Sequence, residues 1–183
     1  MELSAMEKRE IEKKVQELLK GFGYHPETDD YFDVVRFAGS HGFVVGNSEL
    51  PDNEDGFLIM QPDSVGTRED NGIGEKVIGV NAARPMADKR FIIAHEFGHS
   101  ILHYKDEKIY LHRENKKGKD EQENDADYFA AALLMPEESF RRSYSELKES
   151  GKKQGAICIE LAKRYRTSLE SVLRRLDELD ITA

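Results

Sequence analysis

Phe91-Ile92-Ile93-Ala94-His95-Glu96-Phe97-Gly98-His99 is the stretch on which the reading of this chain turns. Ile93, Phe97 and Ile101 recur at i, i+4 and i+8, the period of one helix face, and Pro85 suits a first helical turn. The spacing therefore predicts a helix over residues 85–103. On that helix His95 and His99 stand one turn apart on the same face, so their imidazoles can converge on one ion. Glu96 lies about 100° around the axis from His95. From there it can reach a water at the ion without itself being a ligand. Zinc accepts two imidazoles well, and a catalytic site takes one further protein ligand and leaves one position open.

The third ligand has to come from another part of the chain. A metzincin-like continuation would place a histidine six residues beyond His99, where Lys105 stands, so that class is excluded. Downstream runs Glu121-Gln122-Glu123-Asn124-Asp125-Ala126-Asp127, opening a helical pattern over 122–135 that Pro136 stops. Glu123 and Asp127 are i and i+4 on one face. A carboxylate at 123 can bind the metal, while one at 127 can accept the outer ring N–H of a ligand histidine and fix its tautomer. Glu121 and Asp125 read as surface acids. Ala126 and Ala130 favour close approach of this helix to the histidine helix.

His95–His99 followed by Glu123-Asn124-Asp125-Ala126-Asp127-Tyr128-Phe129-Ala130-Ala131-Ala132-Leu133-Leu134-Met135-Pro136 resembles the ImmA/IrrE family of metallopeptidases. Arg90-Phe91-Ile92-Ile93-Ala94 before the motif and Leu102-His103 after it match as well. The similarity is strong across 90–136 and diffuse over the rest of roughly residues 5–180. It looks like the short form, without an added sensory domain, and the connection at 105–120 has no recognisable signature. The resemblance implies a compact gluzincin-like protein with one Zn2+ per chain (another divalent ion being the alternative), held by His95, His99 and Glu123. It makes Glu96 the catalytic base.

A zinc endopeptidase also needs a donor for the anionic tetrahedral intermediate. No motif singles one out. His103, Tyr104, Tyr110, His112 and Tyr128 are the candidates near in sequence, and each is equally a packing or surface residue. His25 and His41 read as structural or surface groups.

Outward from the motif, Ser4 and Glu7 form a capping box for a first helix with Ile11, Val15, Leu18 and Leu19 on one stripe, ending near Gly21 and Gly23. A second amphipathic stretch, 30–38, points Phe32, Val35 and Ala38 at a core. Three short strands are expected at 42–45, 56–60 and 76–80, with a polar loop over 62–74 and a further short strand at 109–111. The expected fold is α+β: a small antiparallel sheet packed on a zincin-like two-helix metal core, with a helical C-terminal part. The expected division is a metallopeptidase core over 1–140 and a basic helical region over 141–183.

That C-terminal region reads as a helix over 156–166, then a second helix opened by a Thr167/Glu170 capping box. The arrangement is helix-turn-helix-like. Residues 141–175 hold ten Lys/Arg against four Glu, a surplus of +6 in a chain whose net charge is −9. Lys163, Arg164, Arg174 and Arg175 are the candidate partner-binding residues. Direct nucleic-acid binding is not expected, because the whole-chain charge repels phosphate.

The chain has 183 residues, with 38% hydrophobic and 34% charged side chains. That suits one folded domain with a heavily solvated surface. Its single cysteine, Cys158, excludes a disulfide framework and a thiolate zinc site. No apolar run approaches a membrane span, and residues 1–10 carry no signal-type apolar core, so the expected location is cytoplasmic with no membrane partner. Through the family resemblance the expected partner is a protein substrate, a bacterial helix-turn-helix transcriptional repressor cut at one peptide bond. The alternatives are a metal-dependent anti-repressor that binds without turnover, and a DNA-binding regulator using the C-terminal helices.

Overall fold

The computed structural model describes residues 3–60, 76–103, 110–113 and 121–181. Its elements in chain order are α1 (Ala5–Phe22), α2 (Val34–Ser40), β1 (Phe43–Ser48), β2 (Gly56–Met60), β3 (Lys76–Asn81), α3 (Met86–Leu102), β4 (Tyr110–Arg113), α4 (Glu121–Leu134), α5 (Glu137–Glu149), α6 (Gln154–Tyr165) and α7 (Leu169–Glu178). The class is α+β, as the sequence indicates. Two compact units make up the chain. One is Asp33–Asp127; the other joins Glu2–Phe32 to Tyr128–Ala183, and the division falls inside α4. The expected loop at 62–74 lies outside the described residues.

The first unit is built on a four-stranded sheet in the order β1-β3-β2-β4. β2 runs antiparallel to both β3 and β4, but β1 pairs with β3 in parallel, with Val45 opposite Ile78. The sheet is therefore mixed, where an antiparallel one was expected. The reason lies in the connection from β1 to β2. The Asn81 side-chain amide, at the end of β3, donates to the carbonyls of Leu50 (3.3 Å), Pro51 (3.2 Å) and Glu54 (2.7 Å). Holding that loop across the end of β3 places β1 on one side of it and β2 on the other. Alternation along sequential strands carries no trace of such a crossing.

α3 packs on β2 and β3, and α2 packs on α3 and β1. Phe97 is the hub: its ring meets Phe37 at 5.1 Å, Phe43 at 5.5 Å and His41 at 5.1 Å, all edge-on. Such ring pairs add about 0.5–1.5 kcal/mol each beyond area burial. The ring nitrogen Nδ1 of His41 lies 2.9 Å from the Phe37 carbonyl, which makes His41 structural, as read from the sequence. In α2 the residues turned inward are Val34, Phe37 and Ala38, while Val35 is exposed. Asp33 starts that helix by accepting from the Val35 and Arg36 N–H groups; Phe32 and Ala38 are buried as expected, and Val35 is the one expected core residue that faces outward.

The second unit is helical. α1 opens with the expected box, Ser4 N–H donating to Glu7 at 2.8 Å, and closes at Gly23 with φ +85°. α5 has no counterpart in the sequence reading, although it buries Phe140, Tyr144 and Leu147. α7 is capped by Ser168, whose hydroxyl accepts from the Ser171 N–H at 3.1 Å. Thr167, the expected cap, is buried against the Met135 sulfur. Arg175 corrects a second expectation. Its side chain is 0% exposed, with Nε donating to the Met135 carbonyl at 3.0 Å and Nη2 to Glu12 at 2.7 Å. It is a core residue and offers nothing to a partner. Three residues on, Glu178 stands 3.5 Å from the same guanidinium, and burial pushes its carboxyl up to about 7. No described helix is long and apolar enough to cross a membrane.

Candidate metal centre

α3 supplies two of the residues the motif singled out, and its burial runs from Arg90 to Ser100 with few breaks. A helix sunk that deeply holds its histidine rings in a low-dielectric setting, where their polar atoms must find partners. His95 Nε2 and His99 Nε2 face each other at 3.0 Å. Glu123, in the first turn of α4, brings Oε2 to 3.4 Å from His95 Nε2 and Oε1 to 3.2 Å from His99 Nε2. These three groups form a triangle with edges of 3.0–3.4 Å. Tetrahedral zinc with bonds of about 2.0–2.1 Å spaces its ligand atoms about 3.3 Å apart. Contacts of this size are compatible with such an ion, with Glu123 turning one oxygen to each histidine.

The outer ring nitrogens say which lone pairs point inward. His95 Nδ1 lies 3.1 Å from Asp127, a pure acceptor when ionised, so His95 carries its proton on Nδ1 and turns a bare Nε2 to the triangle. His99 Nδ1 meets His103 Nδ1 at 3.1 Å, and His103 Nε2 meets Asp125 at 3.2 Å. With the Asp125 carboxylate accepting, His103 is protonated on Nε2 and its Nδ1 accepts from His99 Nδ1–H. His99 then also presents a bare Nε2. Two imidazole lone pairs and a carboxylate that converge in this way make a donor set that a divalent cation would satisfy. Among the described residues this is the group able to hold a metal ion.

Glu96 is fully buried one residue after His95. Its carboxylate faces β2: a Cβ built on Gly56 would sit 3.6 Å from Glu96 Oε1, 2.9 Å from the Gly79 carbonyl and 2.5 Å from Ile92 Cγ2. The glycine is what lets β2 close on α3 at this level. Asp127 stands where the i+4 spacing placed it. Asp125 does not; it was read as a surface acid and instead anchors His103. His103 in turn contacts the outer nitrogen of His99, on the side away from the triangle, so it leaves the set of transition-state donors. Tyr128 leaves it too, since its hydroxyl donates to Glu12 at 3.0 Å within the second unit. Five residues from Glu123, it lies about 140° around the helix from it. Tyr110 and His112 stand in β4, opposite Met60 and Leu58, and Tyr104 lies outside the described residues. The signal that could have found Asp125 was the i+4 spacing of His99 and His103, which leaves the second histidine needing an acceptor of its own.

Residues 57–177, about two thirds of the chain, match the Peptidase_M78 family, described as the IrrE N-terminal-like domain. The chain belongs to that family. The matched span contains every member of the triangle, and the resemblance read from residues 90–136 holds. As a Peptidase_M78 chain it falls in a metallopeptidase family, with His95, His99 and Glu123 grouped as that class requires. No curated protein sequence matches it. A solved Mycobacterium tuberculosis transcriptional regulator shares its fold, with 17% identity and a TM-score of 0.58 over 92% of this chain. The chain spans 46% of that protein's length.

Proposed function

We propose that this protein is a zinc-dependent endopeptidase that cuts one peptide bond in a specific protein substrate, a helix-turn-helix transcriptional repressor. The observation behind this reading is the triangle of His95, His99 and Glu123 with the buried Glu96 beside it on α3. His95, His99 and Glu123 would hold the ion. When bound, zinc polarises the scissile carbonyl and acidifies a water. Glu96, whose side chain is fully buried, would take the proton of the attacking water and deliver it to the departing amine nitrogen. Asp127 keeps the His95 proton on Nδ1. Tyr110 and His112, on β4, remain the proposed donors to the tetrahedral intermediate.

Hydrolysis requires the scissile segment to lie extended, and strand addition to an open sheet edge supplies the backbone hydrogen bonds. β2 and β3 are interior to the sheet, and β1 and β4 are its two edges. β4 borders β2 and is the edge proposed for the substrate. The repressor as substrate rests on the family resemblance, and a regulator among proteins of this fold motivates it further. Selectivity comes from Lys163, Arg164 and Arg174, since Arg175 is buried.

Searching the neighbouring genes for a small helix-turn-helix repressor, and mixing that protein with this one and zinc, tests the reading. The native protein cuts the repressor once and the Glu96→Gln form leaves it whole. If Glu96→Gln relieves repression fully with the repressor intact, the protein acts by binding without turnover. Tight, salt-dependent binding of the protein to duplex DNA with no cleavage would replace the peptidase by a DNA-binding regulator.

A further inference from the structure

The two histidines of the triangle are supported unequally. His95 meets a carboxylate directly, Asp127 at 3.1 Å, whereas His99 reaches its carboxylate through a second imidazole. His103 is the C-cap of α3, and its backbone N–H donates to the His99 carbonyl at 3.0 Å. Ring and backbone of His103 are thus both tied to the same residue. Its side chain is 8% exposed, so water competes poorly for either ring nitrogen.

We propose that His103 and Asp125 are positioning residues for the metal centre, a two-member relay that fixes the tautomer and orientation of His99. The inference rests on the metal-binding reading of His95, His99 and Glu123 and adds to it a support for one ligand. Asp125 accepts from His103 Nε2–H, which leaves His103 Nδ1 as an acceptor. That acceptor holds the proton of His99 on Nδ1 and keeps Nε2 available to the ion. Without His103, His99 is free to carry its proton on Nε2, the nitrogen that must be bare. Support of this kind typically changes metal affinity about 10–100-fold.

Zinc competition titrations on the full chain test it, using the native protein, His103→Ala, His103→Gln, Asp125→Ala and the His103→Ala/Asp125→Ala pair. Both alanine variants should bind zinc about 10–100-fold more weakly. The pair should bind no more weakly than His103→Ala, because Asp125 acts only through His103. His103→Gln should recover most of the affinity, its amide oxygen accepting the His99 proton. Unfolding midpoints of the metal-free variants separate loss of support from loss of fold. Nitrogen-15 spectra of the metal-free native protein give a reading that needs no variant: His99 should carry its proton on Nδ1. Native affinity in both single variants, additive losses in the pair, or a proton on His99 Nε2 overturns the relay. Failure of the native protein to bind zinc would instead overturn the metal centre itself.

Discussion

Glu96 and Glu123 are the same side chain set to different tasks. Glu123 bridges to both Nε2 atoms and completes the triangle, while Glu96 is buried against β2 and handles a proton in the proposed reaction. Glu123→Ala should therefore weaken zinc binding steeply, and Glu96→Gln should leave it nearly unchanged while removing hydrolysis. Parallel metal titration and peptide-cleavage assays separate the two, and equal metal loss in both variants would make Glu96 a ligand. Glu178 supports a different prediction, about pH. Arg175 already has Glu12 at 2.7 Å, so Glu178 is a second carboxylate on one guanidinium, and burial raises it from 4.5 to about 7. A carboxyl raised on folding takes up a proton in the native state. Its contribution to stability is greatest below about 4.5 and is lost as pH climbs through about 7. Glu178→Gln, permanently neutral, should then be more resistant to denaturant than the native chain at pH 8, with a much smaller gap at pH 5. A gap that does not vary with pH would rule this out.

Among the elements, α3 and β2 meet most tightly at Gly56. Gly56→Ala places a methyl 2.5 Å from Ile92 Cγ2 and 2.9 Å from the Gly79 carbonyl, which is overpacking against backbone. About 1–3 kcal/mol of destabilisation should follow, read as a lowered unfolding midpoint, and full native stability would contradict the packing. Legibility in the sequence divides along similar lines. α1, α3 and α4 could be placed because each states its own ends and period: Ser4 with Glu7, Pro85 before Met86, Pro136 after Leu134. The His95–Glu96–His99 and Glu123–Asp127 spacings each put their residues on one helix, and the resemblance to the metallopeptidase family joined the two sets. The parallel β1–β3 pairing was hidden because it depends on a loop crossing the end of β3, and Asn81, which binds that loop, lies more than 25 positions from it. Thr167 was read as the cap because it stands three residues before Glu170, but it is buried and Ser168 caps the helix. Arg175 looked like its neighbour Arg174, and nothing local announces that Glu12 lies opposite it.

For the whole molecule, a net charge of −9 coexists with basic residues gathered in α5–α7. Several of those are already engaged: Arg164 meets Glu146 at 2.8 Å, and Arg142 spans Asp30 and Glu146. Their remaining field is what a protein partner would meet. Replacing Lys163, Arg164 and Arg174 together by glutamine should slow cleavage of the repressor at low salt and leave zinc content unchanged. Undiminished cleavage would remove this surface from recognition while leaving the metal centre intact. One sulfur in the same helical unit has a practical consequence. Cys158 is the chain's sole thiol, lies 4% exposed on α6, and has its ionisation pushed up by burial. A disulfide reagent can therefore reach it only when α6 lifts from its neighbours, so the labelling rate becomes a clock for that opening. Run with and without zinc, the clock would report whether filling the metal centre quiets the breathing of helices that contribute no ligand to it.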